Sequence, residues 1–468
     1  MKRWLIILSL AGITGCARFA EHPLVPAQTA AQLDARGLEA PGLRQFMAGH
    51  LGHPLPVWPL PEWDLTSLTL AAFYYHPSLA VARAQWAVTQ ADIKTAAGRP
   101  NPSVTVTPGY DSSATSISPW LPMINFDWPL ETAGKRGKRL AEARALANSA
   151  QWDIVTTAWQ VRGTLRDTLL DAQAAERRQA LLTEQAALQE QLVSRLEQRL
   201  AAGDIARTDL VTAQLARQKI RLDQLDADSR ASEARSRLAG AIGLSRTALT
   251  GVRINWDTGT NLPPALNASE ARKLALVARS DIRGALADYA AAEADLQLEI
   301  AKQYPDVHLS PGYQYNQGDN QWTLGLSVEL PVLNQNQGPI ASAAAKRQLA
   351  AAKFLAVQAR VISDLDRAVA AWQLAQAQTG SGDRWLATET AQAAATAAQV
   401  AAGAGDQFDI LAAQLELTSA RLVQLDNTTQ LLRARGALED AWQRPLDSLN
   451  PEVFKQLSAT TIELETHP

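Results

Sequence analysis

The chain has 468 residues, 19% of them charged, with a formal net charge of -3 and a single cysteine. So balanced a charge gives no support for a nucleic-acid partner. One thiol excludes a disulfide within the subunit and a structural thiolate metal site.

In chain order, residues 1–15 carry a basic start (Lys2, Arg3), an apolar run from Trp4 to Leu10, and then Ile13-Thr14-Gly15-Cys16. The apolar run is too short to span a membrane. The segment resembles a bacterial lipoprotein signal, which implies cleavage before Cys16 and acylation of its sulfur. Ala17 at the next position favours the outer membrane. Residues 16–63 are rich in proline and show no sustained period, which predicts an extended tether lying on the body. His22, His50 and His53 in this arm are expected to be ordinary surface histidines.

Helical patterns cover Leu65 to Gly98, Glu131 to Ala202, Thr208 to Ile242, Ser269 to Gln303, Pro339 to Ala402 and Asp409 to Trp442. The second would run about 105 Å, so it must pack sideways on other long helices. Leu165 and Leu169, then Leu188, Leu192, Leu196 and Leu200, supply a stripe at i, i+4.

Between the helices four segments alternate with period two, at about 102–111, 120–130, 305–315 and 322–331. Val104, Val106 and Tyr110 oppose Thr105 and Thr107; Ile124, Phe126 and Trp128 oppose Asn125 and Asp127. Val307, Leu309 and Tyr313 oppose His308 and Ser310, and Trp322, Leu324 and Leu326 oppose Thr323, Ser327 and Glu329. Their length suits tilted strands crossing a bilayer, apolar side to lipid and polar side to a lumen. Four strands cannot close a barrel, and open edges are not tolerated in lipid. A homotrimer supplies twelve strands and closes the ring. Asp127 and Glu329, each two residues before a proline, would place six carboxylates near the periplasmic mouth of such a barrel, a ring that favours cations.

The chain also repeats itself. Leu200 to Leu215 (LAAGDIARTDLVTAQL) aligns with Val400 to Leu415 (VAAGAGDQFDILAAQL), and Pro102 to Tyr110 (PSVTVTPGY) with Pro305 to Tyr313 (PDVHLSPGY). The offset falls only from 204 at His76/Ser280 to 200 at Gly203/Gly403. Two structural repeats at 64–262 and 263–443 are therefore expected, followed by a tail at 444–468. In each repeat a long helix ends at Gly203 or Gly403, and a return helix starts with Asp209 or Asp409 in its first turn. These are hairpin tips. Asp204 and Asp406 add acid there, which would repel around a threefold axis unless paired to Arg207 or to a bound cation.

Duplicated helices, strand hairpins and tips behind a lipoprotein signal resemble the TolC family of trimeric outer-membrane efflux ducts over nearly all of the mature chain. The fold class expected is mainly α with a small membrane β-barrel: a twelve-stranded trimeric barrel above a periplasmic α-helical barrel. Pro129 to Arg136 (PLETAGKR) and Leu330 to Ile340 (LPVLNQNQGPI) are similar to the CzcC-like branch, although Gln335 stands where that branch commonly carries Arg. That resemblance implies passive export of divalent heavy-metal cations, with an inner-membrane RND pump and a periplasmic adaptor (membrane fusion protein) as partners and outer-membrane lipid around the barrel. The same architecture also serves drugs or other small molecules, or a type I secretion outlet. By the resemblance, adaptor hairpins dock around Gly203, Thr208, Asp209 and Leu210 and around Gly403, Asp409 and Ile410. A periplasmic adaptor itself is disfavoured, because adaptors carry one hairpin flanked by β-rich domains. No nucleophile elbow, metal-ligand cluster or phosphate-cradling loop is present, so no catalytic residue, cofactor or resident metal is expected. The run Lys135, Arg136, Lys138 and Arg139, directly after a strand, is expected to meet lipid headgroups.

Overall fold

The structure is a computed structural model, and it describes residues 19–112, 118–256, 268–447 and 449–459. The signal segment, Cys16, part of the first strand turn, the junction between the repeats and the last residues of the tail lie outside the described residues.

The arm before residue 64 is not extended. It forms α1 (Pro26–Asp34) and α2 (Pro41–Leu51), each with proline in its first turn. Proline there loses no hydrogen bond and presets φ, so the residues that suggest an extended arm instead start helices. Leu43, Met47 and Trp63 of the arm are buried. The pattern from Leu65 to Gly98 divides into α3 (Leu65–Tyr75) and α4 (Pro77–Ala96) at His76, which precedes a proline and takes ψ 125°. Asp64 caps α3 through a reciprocal box with Ser67.

Two strands and two long helices follow: β1 (Ser103–Thr107), β2 (Met123–Leu130), α5 (Lys135–Ala202) and α6 (Arg207–Ile242). Beyond these lie α7 (Ala268–Ala278), α8 (Ser280–Ala301), β3 (Val307–Asn316) and β4 (Asp319–Val328). The chain then runs through α9 (Gln337–Ala401), α10 (Gln407–Trp442) and α11 (Glu452–Ala459). Helix α5 has 68 residues and α9 has 65, so each is roughly 100 Å long. The break between α7 and α8 falls at Arg279, whose ψ is 142° and whose guanidinium binds Asp281 and the carbonyls of Asp440 and Ala441. Extended geometry at His76 and Arg279 thus divides both repeats at matching places.

The four strands form one antiparallel sheet in the order β1-β2-β3-β4. Strands β2 and β3 come from different repeats, so pairing from Met123↔Gln314 to Leu130↔Val307 seams the two halves together. Strand β1 is shorter than expected because Pro108, with no N–H, ends the ladder, which resumes only as a bridge between Tyr110 and Trp120. Strand β4 begins and ends three residues early. The reason is its two-residue turn, Gln317-Gly318, both at positive φ, the geometry that matches strand twist in a tight hairpin.

The largest core is a belt around the middle of α5. Leu165 and Leu169 of the leucine stripe are fully buried there with Phe73, Leu79 and Leu238. Part of the tail, expected only as a tail, completes this core: Phe454 of α11 stacks on Trp159, ring centroids 4.1 Å apart and planes 2° apart, and meets Phe73 edge-on.

Candidate functional site

Three regions carry the functional features: the strand wall, the belt and the helical tips. On one face of the wall stand Val104, Val106, Phe126, Trp128, Trp322, Leu324 and Leu326, all exposed, the last three at 80%, 72% and 70%. Carbon surface of this extent left open to solvent marks a face that meets another apolar medium. The opposite face carries Thr105, Thr107, Asn125, Asp127, His308, Ser310, Thr323 and Ser327, as their pairing registers require. No helix among the described residues is long and apolar enough to cross a membrane.

Asp127 lies on this polar face, and both its carboxylate oxygens lie within 3.1 Å of His308 Nδ1. Glu329 is exposed and sits one residue beyond β4. By register Asp127 is level with Ser310 and Gly325, so Glu329 is displaced by four residues, about 13 Å along a strand. Strands of a barrel are tilted and staggered, so this offset across two strands leaves matched repeat positions free to stand at similar heights. Within the protomer, the partner of Asp127 is His308.

Where the wall meets the helices, residues 131–139 act as a clamp. Ala133 and Gly134 take positive φ and reverse the chain. Glu131 binds Arg139 through both oxygens, and Thr132 N–H and Lys135 Nζ both reach Asp306 Oδ1, at 2.9 and 2.8 Å. Arg136 donates to Ala97 O at 2.7 Å and Lys138 lies 3.5 Å from Gln297. Each cation of the basic run thus has a protein partner. Burial raises Asp306, but its bonds to Lys135 and Thr132 prevail and hold its carboxyl below the ordinary range.

In the belt Arg162 is fully buried. Its guanidinium donates to Glu439 at 2.7 Å, Asp447 at 2.8 Å and Thr69 Oγ1 at 3.2 Å. One turn on, Arg166 makes a two-pronged pair with Asp440 at 2.6 and 3.1 Å. Burial lowers Arg166, yet the carboxylates of Asp440, Glu439 and Asp167 overcome it and keep the group charged. Gly436 leaves the space that the Arg166 side chain occupies. These contacts tie α5 of the first repeat to α10 of the second. Sequence reasoning missed them, because the partners lie 274 to 285 residues apart; arginines at i, i+4 within the apolar stripe of α5 were the available signal.

At the tips Gly203 and Gly403 take φ 83° and 80° and close α5 and α9, and Ala404 N–H folds back to Gln399 O as Asp204 N–H does to Arg199 O. The return helices differ. Asp406 accepts from the N–H groups of Phe408 and Asp409, while Asp409 accepts from the N–H of Asp406. The first tip starts at Ala206 with no side-chain cap, and Asp209 stands in its first turn. Asp406 pairs with Arg199 at 3.2 Å and not with Arg207. Asp204 and Thr208 are exposed, and Leu210 and Ile410 are half-buried. Leu210, Phe408 and Leu415 each pack against a small cluster of Leu192, Val193, Leu196, Ala213 and Leu411. An open groove of about 520 Å³ runs beside the second tip between α9 and α10, lined by Gln392, Thr396, Gln399, Asp409 and Glu416.

A family model described as "Outer membrane efflux protein" matches residues 72–244 and again 271–443. The chain belongs to the outer membrane efflux protein family. As a family member it is an outer-membrane efflux channel and not an enzyme. It is 26% identical over 318 residues to the cobalt-zinc-cadmium resistance protein CzcC of Cupriavidus metallidurans, a match covering 66% of this chain and 74% of that protein. The fold matches that of the outer membrane protein VceC of Vibrio cholerae at a TM-score of 0.67 and 17% identity, over 82% of this chain and 97% of that one. It matches CusC at 0.66 and 16% identity, over 92% and 99%. The mainly helical architecture with a small strand part, expected from periodicity, is the one these structures share.

Proposed function

We propose that the chain is the outer-membrane outlet of a tripartite efflux machine, a homotrimer that passes divalent heavy-metal cations out of the periplasm. The observation that carries this reading is the open sheet: among the described residues β1 and β4 are unpaired edges beneath a continuous apolar face, and three copies would close it. An inner-membrane RND pump supplies the energy and a periplasmic adaptor joins pump to outlet. The adaptor docks on the tips around Gly203, Thr208, Asp209 and Leu210 and around Gly403, Asp409 and Ile410. Acylation of Cys16 holds the arm at the inner leaflet of the outer membrane. Likeness to the cobalt-zinc-cadmium resistance protein supports the choice of cargo.

The test is complementation in a strain lacking its own metal-efflux outlet. The chain is expected to restore growth on zinc, cobalt and cadmium when its adaptor and pump are present. Gly203→Trp with Gly403→Trp should leave an inserted trimer that neither crosslinks to the adaptor nor protects. Restored resistance to drugs with none to metals would overturn the cargo. A protective double variant would overturn docking at the tips.

A further inference from the structure

The polar face of the wall carries an imidazole with a spare nitrogen. His308 Nδ1 lies 3.0 and 3.1 Å from the two oxygens of Asp127, and Ser310 donates to the same carboxylate at 3.4 Å. An ionised carboxylate only accepts, so Nδ1 carries the proton and the neutral ring keeps its lone pair on Nε2. Nε2 has no hydrogen-bond partner among the described residues, and the side chain is 42% exposed on the face that would line the channel. Asp127, itself 39% exposed, fixes the ring orientation. This is how carboxylates support metal-bound histidines.

The repeats show that the strand itself does not require the histidine. In the aligned segments PSVTVTPGY and PDVHLSPGY, Thr105 occupies the position of His308. A threonine makes an adequate polar-face residue in β1, so the imidazole adds chemistry beyond what a strand needs.

We propose that His308, held by Asp127, is a transient ligand for borderline divalent cations of the zinc, cobalt and nickel class on the lumenal side of the wall, one per protomer and three around the barrel. The proposal rests on the trimeric-channel reading above. Imidazole nitrogen selects these ions over magnesium and calcium, which require oxygen cages. A single imidazole completed by water binds weakly, as a conducting pore needs, because cargo must leave as readily as it enters.

The full chain, purified as a trimer and inserted in planar bilayers, provides the test. Zinc ion added at rising concentration should lower single-channel potassium current in the wild type, while magnesium at equal concentration should not. His308→Thr, which installs the residue of the first repeat, should keep the potassium conductance and lose the zinc effect. Asp127→Asn should raise the half-blocking zinc concentration about 10- to 100-fold. Equal zinc block in His308→Thr, or equal block by magnesium in the wild type, overturns the proposal. So does a conducting trimer whose current zinc leaves unchanged, with the channel reading intact. A wild-type chain that forms no conducting trimer overturns both. If His308→Thr does not insert, zinc protection of His308 from carbethoxylation in the wild type decides: full reactivity under zinc overturns the proposal, and protection supports it.

Discussion

The same two helices, α5 and α10, pass through the belt and reach the tips, yet they are held by different means at the two levels. In the belt, Arg162 meets Glu439 and Asp447 with no exposed surface of its own, beside fully buried Leu165 and Leu169. About 50 Å further along α5, the tip is held by a few small contacts around Leu192 and Leu196 and by an exposed Arg199–Asp406 pair. Exposed pairs of this kind contribute at most about 1 kcal/mol. The comparison teaches that one continuous helix can be clamped at one height and loosely held at another, with local opening free energies set by the packing at each level.

The sharpest way to break the comparison is at Arg162. Arg162→Met keeps apolar volume but takes the guanidinium from half-buried Asp447 and leaves buried Glu439 with only the more distant Arg166 at 3.9 Å. Such a loss is expected to cost about 3–5 kcal/mol, seen as collapse of the trimer yield and a lower midpoint in denaturant titration. A variant that assembles and melts like wild type would show that the belt is held by its apolar core alone.

A second prediction follows from pH at the matching break of the second repeat. Burial pushes Asp281 up, but its hydrogen bond to Arg279 and the charges of Arg279 and Arg360 outweigh that and set its carboxyl below the ordinary value. The sign follows: this stabilisation is fully present above the usual aspartate pKa of about 3.9 and is lost as pH falls through the lower folded value. Thermal melts of the wild type should therefore lose stability on acidification with a component that Asp281→Asn removes. Parallel acid profiles for the two proteins would refute it.

The smallest effect should distinguish the tips from each other. Asp406→Ala removes both cap bonds and the exposed pair with Arg199, and is expected to cost about 1 kcal/mol, confined to the tip, with faster amide exchange there and none in the belt. Asp209→Ala removes only a favourable charge at a helix start and should cost about 0.3–1 kcal/mol. Equal exchange rates in the two variants would mean that the side-chain cap adds nothing.

The sequence shows much of this plainly, and the parts it hides share one cause. Long helices and alternating strands announce themselves because periodicity is local, and Gly203 and Gly403 mark the turns through their backbone freedom. The Asp127–His308 contact, the Arg162 group and the clamp at Asp306 each join residues more than 170 positions apart, where no spacing rule reaches. The helices of the arm escape for a different reason: proline in a first turn and proline in an extended segment read alike until the following residues find something to bury against.

The stacking of Phe454 on Trp159 also sets an order of events during biogenesis. Gln151 binds the carbonyl of Ser458, a partner 307 residues downstream, so the belt cannot be completed until the segment around α11 has left the translocon. Until then Phe73 and Trp159 have no aromatic cover from that segment. A chain stopped short of Glu452 would leave the Trp159 and Phe73 rings without the cover of Phe454.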